Sequence, residues 1–295
     1  MTRQGHVRAD GAGPKSYRVR GKLLTAKDAK KTRKRRKDDP GNGDAARINA
    51  VHAEEHFQDP VLAYDRLARI YRKIAEKRQL YLAGVEREIL ARIPRGSQSL
   101  LDIGAGDGRR ALRLASTAGV RRIVLLEPSA QMLSARTDGV EIWRCQAEDL
   151  ECQASAEEFD VIICLWNVLG HIKGTTRRSR AMRGIKQRLS ENGRFFMDVN
   201  HRYNARAYGV VPTMARIARD VLLPSGKNGD VVASWDLGAE RISTYGHVFT
   251  HREIVRLAES AGLKMQERIV IDYDDGRVRR SGLQGNLLYV FRRRA

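Results

Sequence analysis

Short apolar runs that end in polar or glycine-rich residues alternate along this chain with stretches whose apolar positions recur every three or four residues. The runs at 99–103, 121–126, 140–143, 159–165 and 193–199 read as buried strands. The helical spacing falls at 61–93, 109–115 and 175–189. Buried strands interleaved with amphipathic helices predict an α/β domain with a doubly wound, mostly parallel sheet. Its ligand crevice then lies at the carboxyl ends of the strands, so the residues just after each run are the candidates for chemistry. Past the fifth strand the pattern changes: a helical stretch to Leu223 and two strand-like runs, 231–237 and 241–250, form an insertion of about residues 200–250. Thr250 and Glu253 then have capping-box spacing for a helix, and 263–273 with 287–292 read as a closing antiparallel pair.

The first strand runs into Asp102-Ile103-Gly104-Ala105-Gly106-Asp107-Gly108. A dinucleotide fingerprint G-x-G-x-x-G needs a small residue at 109, where this chain has Arg109, and the third glycine comes one residue early. The D-x-G-x-G-x-G turn resembles motif I of the class I S-adenosylmethionine (SAM) methyltransferases. Glu127, followed by Pro128, ends the next strand 25 residues beyond Asp102, where a carboxylate accepts both ribose hydroxyls at once. Gln146-Ala147-Glu148 is similar to the family's turn over adenine, with Gln146 standing where the family often has Asp. Leu165 to His171 follows the fourth strand. The resemblance covers about residues 60–295 and implies a Rossmann-like fold of seven mostly parallel strands with an antiparallel C-terminal strand. It also implies a lid helix over 61–93 and a cap at 200–250, within a domain spanning 57–295. On this resemblance SAM is the cofactor and S-adenosylhomocysteine the product. Its contacts are expected from Asp102, Gly104, Ala105, Gly106, Gly108, Glu127, Pro128, Gln146, Ala147, Glu148, Leu165, Asn167 and, from the lid, Tyr71.

Methyl transfer needs an in-line nucleophile, and a base only where the acceptor arrives protonated. His171, Asp198 and His201, at strand tips, are the catalytic candidates, with Tyr203 and Tyr208 as hydrogen-bond donors. The chain lacks the Asn/Asp-Pro-Pro-aromatic turn of enzymes that methylate exocyclic amino groups, reading Leu165-Trp166-Asn167-Val168 instead. Cys164 sits inside an apolar strand, where a thiol is inert. The stretches around Asn167 and His171 and around Asp198 to Asn204 resemble glycine-type small-molecule N-methyltransferases. The expected acceptor is a small or glycan-like molecule methylated at N or O.

Charge alters this picture at one end. The chain carries 55 Lys and Arg against 35 Asp and Glu, and residues 1–50 hold 15 bases and 5 acids, with Lys30 to Lys37 as the densest run. Like-charge repulsion and few apolar residues predict an extended, disordered tail over 1–56, an arm suited to RNA or an anionic membrane surface. RNA is therefore the alternative acceptor, and a non-catalytic SAM-binding protein is the third reading. Cys145, Cys152 and Cys164 form neither a C-x-x-C pair nor a Cys/His cluster, so no metal is expected. No apolar run is long enough to span a bilayer, and the expected location is the cytoplasm.

Overall fold

The computed structural model describes residues 47–50, 58–133, 139–152, 156–236 and 241–294. In chain order the strands are Arg47–Ala50 (β1), Ser99–Ile103 (β2), Arg122–Leu126 (β3), Glu141–Trp143 (β4), Phe159–Cys164 (β5), Leu189–Val199 (β6), Asp230–Asp236 (β7), Arg241–His247 (β8), Leu263–Ile271 (β9), Val278–Arg279 (β10) and Asn286–Arg293 (β11). The helices are Pro60–Glu76 (α1), Gln79–Leu90 (α2), Arg109–Ala118 (α3), Val168–His171 (α4), Thr175–Arg188 (α5), Ala205–Tyr208 (α6), Val210–Leu222 (α7) and His251–Ser260 (α8).

The main sheet has the order β10-β9-β11-β6-β5-β2-β3-β4. Pairing is parallel from β4 to β6, and β11 inserts antiparallel between β6 and β9. This is the seven-stranded sheet expected from the sequence, extended by the two-residue β10 on the β9 edge. Both faces are covered, which is why the strands read as unbroken apolar runs rather than alternating ones. Leu101, Ile162 and Phe195 pack with Ala181 and Ile185 of α5 and Ile254 of α8. Their neighbours Leu100, Val161 and Phe196 pack on the other face with Val85 of α2 and Leu114 of α3.

A second sheet, β1-β7-β8, is antiparallel throughout. The helix α1 lies on it, burying Ala63 and Leu67 against Ala233, Trp235 and Ile242. This corrects the single lid helix expected over 61–93. The chain turns at Lys77 and Arg78 because α1 packs on the small sheet and α2 on the large one, a change of partner that leaves helical periodicity intact. The expected tail is also shorter than 1–56, since Arg47–Ala50 pairs along β7 through its backbone. The remainder of that tail, with Lys30 to Lys37, lies outside the described residues.

The side chain of Tyr81 ties α2 to the end of β6, its phenol donating to the Asp198 carboxylate at 2.5 Å. Asp198 is only 2% exposed, so its oxygens have no water to turn to. Tyr81→Phe leaves one of them short of a donor, and we expect a loss of about 1–3 kcal/mol. Urea unfolding of both proteins checks this, with the midpoint falling and the slope unchanged.

Candidate active site

The glycine turn between β2 and α3 has a fixed internal bonding pattern. The backbone N–H groups of Gly104 and Ala105 donate to Leu126 O, Gly106 N–H donates to the Glu127 carboxylate at 2.8 Å, and Gly108 N–H donates to Ala105 O. These donors are consumed by the tip of β3 and by the turn itself, so the turn does not present them to a pyrophosphate. Gly104 and Gly106 have φ of +70° and +60°. A Cβ on Gly104 would lie 2.5 Å from the Val168 side chain, and one on Gly106 would lie 2.9 Å from the Tyr71 hydroxyl. Gly108 likewise has φ +72°, and a Cβ on it would meet the Leu125 side chain at 2.7 Å.

Glu127 holds this tip together. Its second oxygen accepts from Ser129 N–H at 2.9 Å, and burial pushes its pKa above the ordinary glutamate value. The Ser129 hydroxyl donates in turn to Asp65 of α1 at 2.5 Å and accepts from Met132 N–H. Helix α1 is thereby fastened to the loop after β3.

A cavity of about 390 Å³ opens between α1 and the strand tips. Gly104, Gly106, Glu127 and Pro128 line it together with Gln146 to Glu148, and Tyr64, Tyr71, Leu165, His171, Lys173, Arg177 and Tyr245 are among its other lining residues. Asp102 and Ala105 line an adjoining cavity of about 370 Å³ that shares Tyr71, Gly104 and Leu165 with the first. Gly108 and Asn167 line neither. Asn167 is a framework residue: its side chain accepts from Asn200 N–H at 3.0 Å and donates to His247 O.

Of the three catalytic candidates, His171 alone reaches the cavity. Its Nδ1 lies 3.1 Å from the Tyr245 carbonyl and its Nε2 3.0 Å from the Tyr64 hydroxyl. A carbonyl only accepts, so Nδ1 carries the proton and Nε2 offers its lone pair to the phenol. Burial lowers the His171 pKa and raises that of Tyr64, leaving both neutral near pH 7. The Asp198 carboxylate accepts from Tyr81 and from the Trp166 N–H and lines neither cavity. The His201 Nδ1 pairs with Gly282 O at 2.8 Å, burial pushes its pKa down to about 4, and it lines neither cavity. Tyr203 and Tyr208 line neither cavity either; Tyr203 donates to Asp220 at 2.7 Å.

Sequence reasoning passed over Tyr245 and did not single out Trp166. Trp166 and Asn167 are non-glycine residues at φ +63°, a conformation that Asp198 sustains by holding Trp166 N–H. The bend turns the indole toward Tyr71, with ring centroids 5.6 Å apart. Nothing in Leu165-Trp166-Asn167 announces that bend, and Tyr245 reaches the site only because β8 crosses behind α4.

The comparisons with known proteins agree with this geometry. The family model for the "Methyltransferase domain" matches residues 71–268. No curated protein matches. Among solved structures, the chain is similar to the Burkholderia thailandensis 1,6-didemethyltoxoflavin-N1-methyltransferase, with 16% identity, 85% of this chain and 96% of that one covered, and a TM-score of 0.56. A SAM-dependent methyltransferase from Clostridium acetobutylicum gives 13%, 79%, 99% and 0.55. The CcbJ methyltransferase of Streptomyces caelestis gives 19%, 72%, 90% and 0.52.

Burial raises the Asp102 pKa to about 7. A carboxyl whose folded pKa lies above its unfolded value contributes stability below the unfolded value, and that stability is lost as pH rises through the folded one. Between pH 4.5 and 7 the ligand-free protein therefore loses stability that Asp102→Asn retains, at up to about 1.4 kcal/mol per pH unit. Urea midpoints of both proteins at pH 4.5, 6 and 7.5 measure the widening gap.

Proposed function

The chain belongs to the methyltransferase-domain family, and from that premise we propose that it moves a methyl group from SAM to N or O of a small-molecule or glycan-like acceptor. The residues fit the donor. The glycine turn offers space where side chains would stand, keeps its N–H groups occupied as a cofactor without a pyrophosphate allows, and places the buried Glu127 in the cavity lining. When bound, SAM supplies an activated methyl group on a sulfonium. The chain's own task is to exclude water with α1, hold the acceptor in line and take its proton.

The Tyr64–His171 pair suits that last task. With Nε2 accepting the phenol proton, the lone pairs of Tyr64 Oη face the cavity and can accept from an acceptor O–H or N–H. A proton passed to Oη is relayed to His171, whose Nδ1–H is already held by Tyr245 O.

One observation carries the preference for a small acceptor over RNA. Five of the six basic side chains of α5 are paired or buried: Arg177, Arg180 and Arg183 pair with Glu148, Asp149 and Glu151 at 3.6, 2.7 and 3.3 Å, and Arg178 and Arg188 are buried. Support also comes from the fold's use in the Burkholderia enzyme, whose structure holds 1,6-didemethyltoxoflavin and S-adenosylhomocysteine.

Incubating the protein with methyl-labelled SAM and host extract, then separating RNA, glycan and small-molecule fractions, tests the acceptor class. The expected label is in the glycan or small-molecule fraction, and label confined to RNA contradicts the proposal. With the acceptor in hand, Tyr64→Phe is expected to lower the transfer rate about 10²-fold while S-adenosylhomocysteine binding stays within about threefold. Because the base works in its neutral form and the His171 pKa is lowered, the acid limb of the rate profile falls below pH 6.5. That limb disappears in His171→Gln.

A further inference from the structure

Helix α7 is built inside out. The side it turns to the protein is polar: Thr213 is its one buried residue, Asp220 accepts from Arg202 at 2.8 Å and from Tyr203 at 2.7 Å, and the Arg216 guanidinium lies 4.2 Å from the Tyr208 ring centroid. The side it turns to solvent is apolar. Val210, Val211, Met214, Val221, Leu222 and Leu223 are each 56–79% exposed. At 100° per residue Val210, Met214 and Val221 fall in one line along the helix, with Val211 and Leu222 beside it. A helix in a water-soluble protein normally presents the reverse arrangement, so this stripe is a surface made to be covered.

Three kinds of occupant are open, and charge and area choose among them. Nucleic acid offers no apolar surface to a row of Val, Met and Leu. A second copy of the chain would bring +20 against +20. A 13-residue helix, about 20 Å long, also gives far less than the roughly 1,200 Å² at which a stable interface begins. A bilayer rich in anionic lipid supplies both what the stripe lacks, an apolar layer, and what the cationic chain attracts. The helix carries the basic companions that such a surface meets, Arg219 on its last turn and the exposed Lys227 just beyond.

We propose that α7 is an interfacial docking helix: it lies in the plane of an anionic phospholipid surface with Val210, Val211, Met214, Val221 and Leu222 among the acyl chains near the headgroups. None of these residues lines either cavity at the strand tips, so docking and methyl transfer are separable.

The test uses the full chain and vesicles of phosphatidylcholine with or without 30% phosphatidylglycerol. The wild type is expected to co-sediment with the anionic vesicles and weakly with the neutral ones. The triple variant Val211→Ser, Met214→Ser, Leu222→Ser is expected to bind at least 10-fold less while its melting temperature and S-adenosylhomocysteine binding are unchanged. A Met214→Trp variant is expected to shift its emission to the blue on adding anionic vesicles. Vesicle binding that survives the triple substitution, or a wild type that binds no vesicles, overturns the proposal. So does a dimer in analytical ultracentrifugation that the triple variant turns into monomer, or an emission spectrum of the Met214→Trp variant that vesicles leave unmoved.

Discussion

A buried carboxylate at the end of a parallel strand is the constraint on which this site depends. Where β3 stops, its ladder no longer satisfies the backbone around it, and Glu127 takes up the N–H groups of Gly106 and Ser129. Unmet, each such donor would cost about 1–3 kcal/mol in a place closed to water. One side chain thus sets the height of the glycine turn, and through Ser129 and Asp65 the seat of α1. Asp198 repeats the device three strands across the sheet, where it supports Trp166 and receives Tyr81. The cavity lining at these tips is a product of strand ends being satisfied by acids.

The two sides of the cavity differ in origin. The side proposed to hold the donor is made from main-sheet tips and a turn whose hydrogen bonds are internal, so its shape is fixed by the core beneath it. The opposite side is assembled from separate pieces: Tyr64 on α1, His171 on α4 and the Tyr245 carbonyl on β8. Those pieces meet because α1 packs on the small sheet through Leu67 and Trp235. Under the proposed function, variation in the small sheet and its helices would alter the acceptor without disturbing the glycine turn.

How legible this was in the sequence follows the same division. Runs such as 159–165 show their strands because both faces are buried, and the spacing of Gly104, Gly106 and Glu127 marks a turn and a strand tip that local geometry alone requires. Gly108 was readable as a glycine but not as a packing contact with Leu125, which only the register of β2 against β3 brings near. His201 and Asp198 stand at a strand tip but line neither cavity. Their backbone and phenol partners come from segments 80 to 120 positions away, information no local pattern contains. The left-handed pair Trp166-Asn167 was invisible for the same reason. The inverted face of α7 was written plainly in its periodicity, but periodicity does not say which face turns inward.

The central claim is that the glycine turn and Glu127 form a SAM site, and calorimetric titration of the purified protein with S-adenosylhomocysteine tests it most directly. The account predicts one saturable site in the micromolar range, weakened about 10-fold or more by Glu127→Ala and by Gly106→Val. Absence of binding heat in a folded protein, or equal affinity in wild type and both variants, would contradict it.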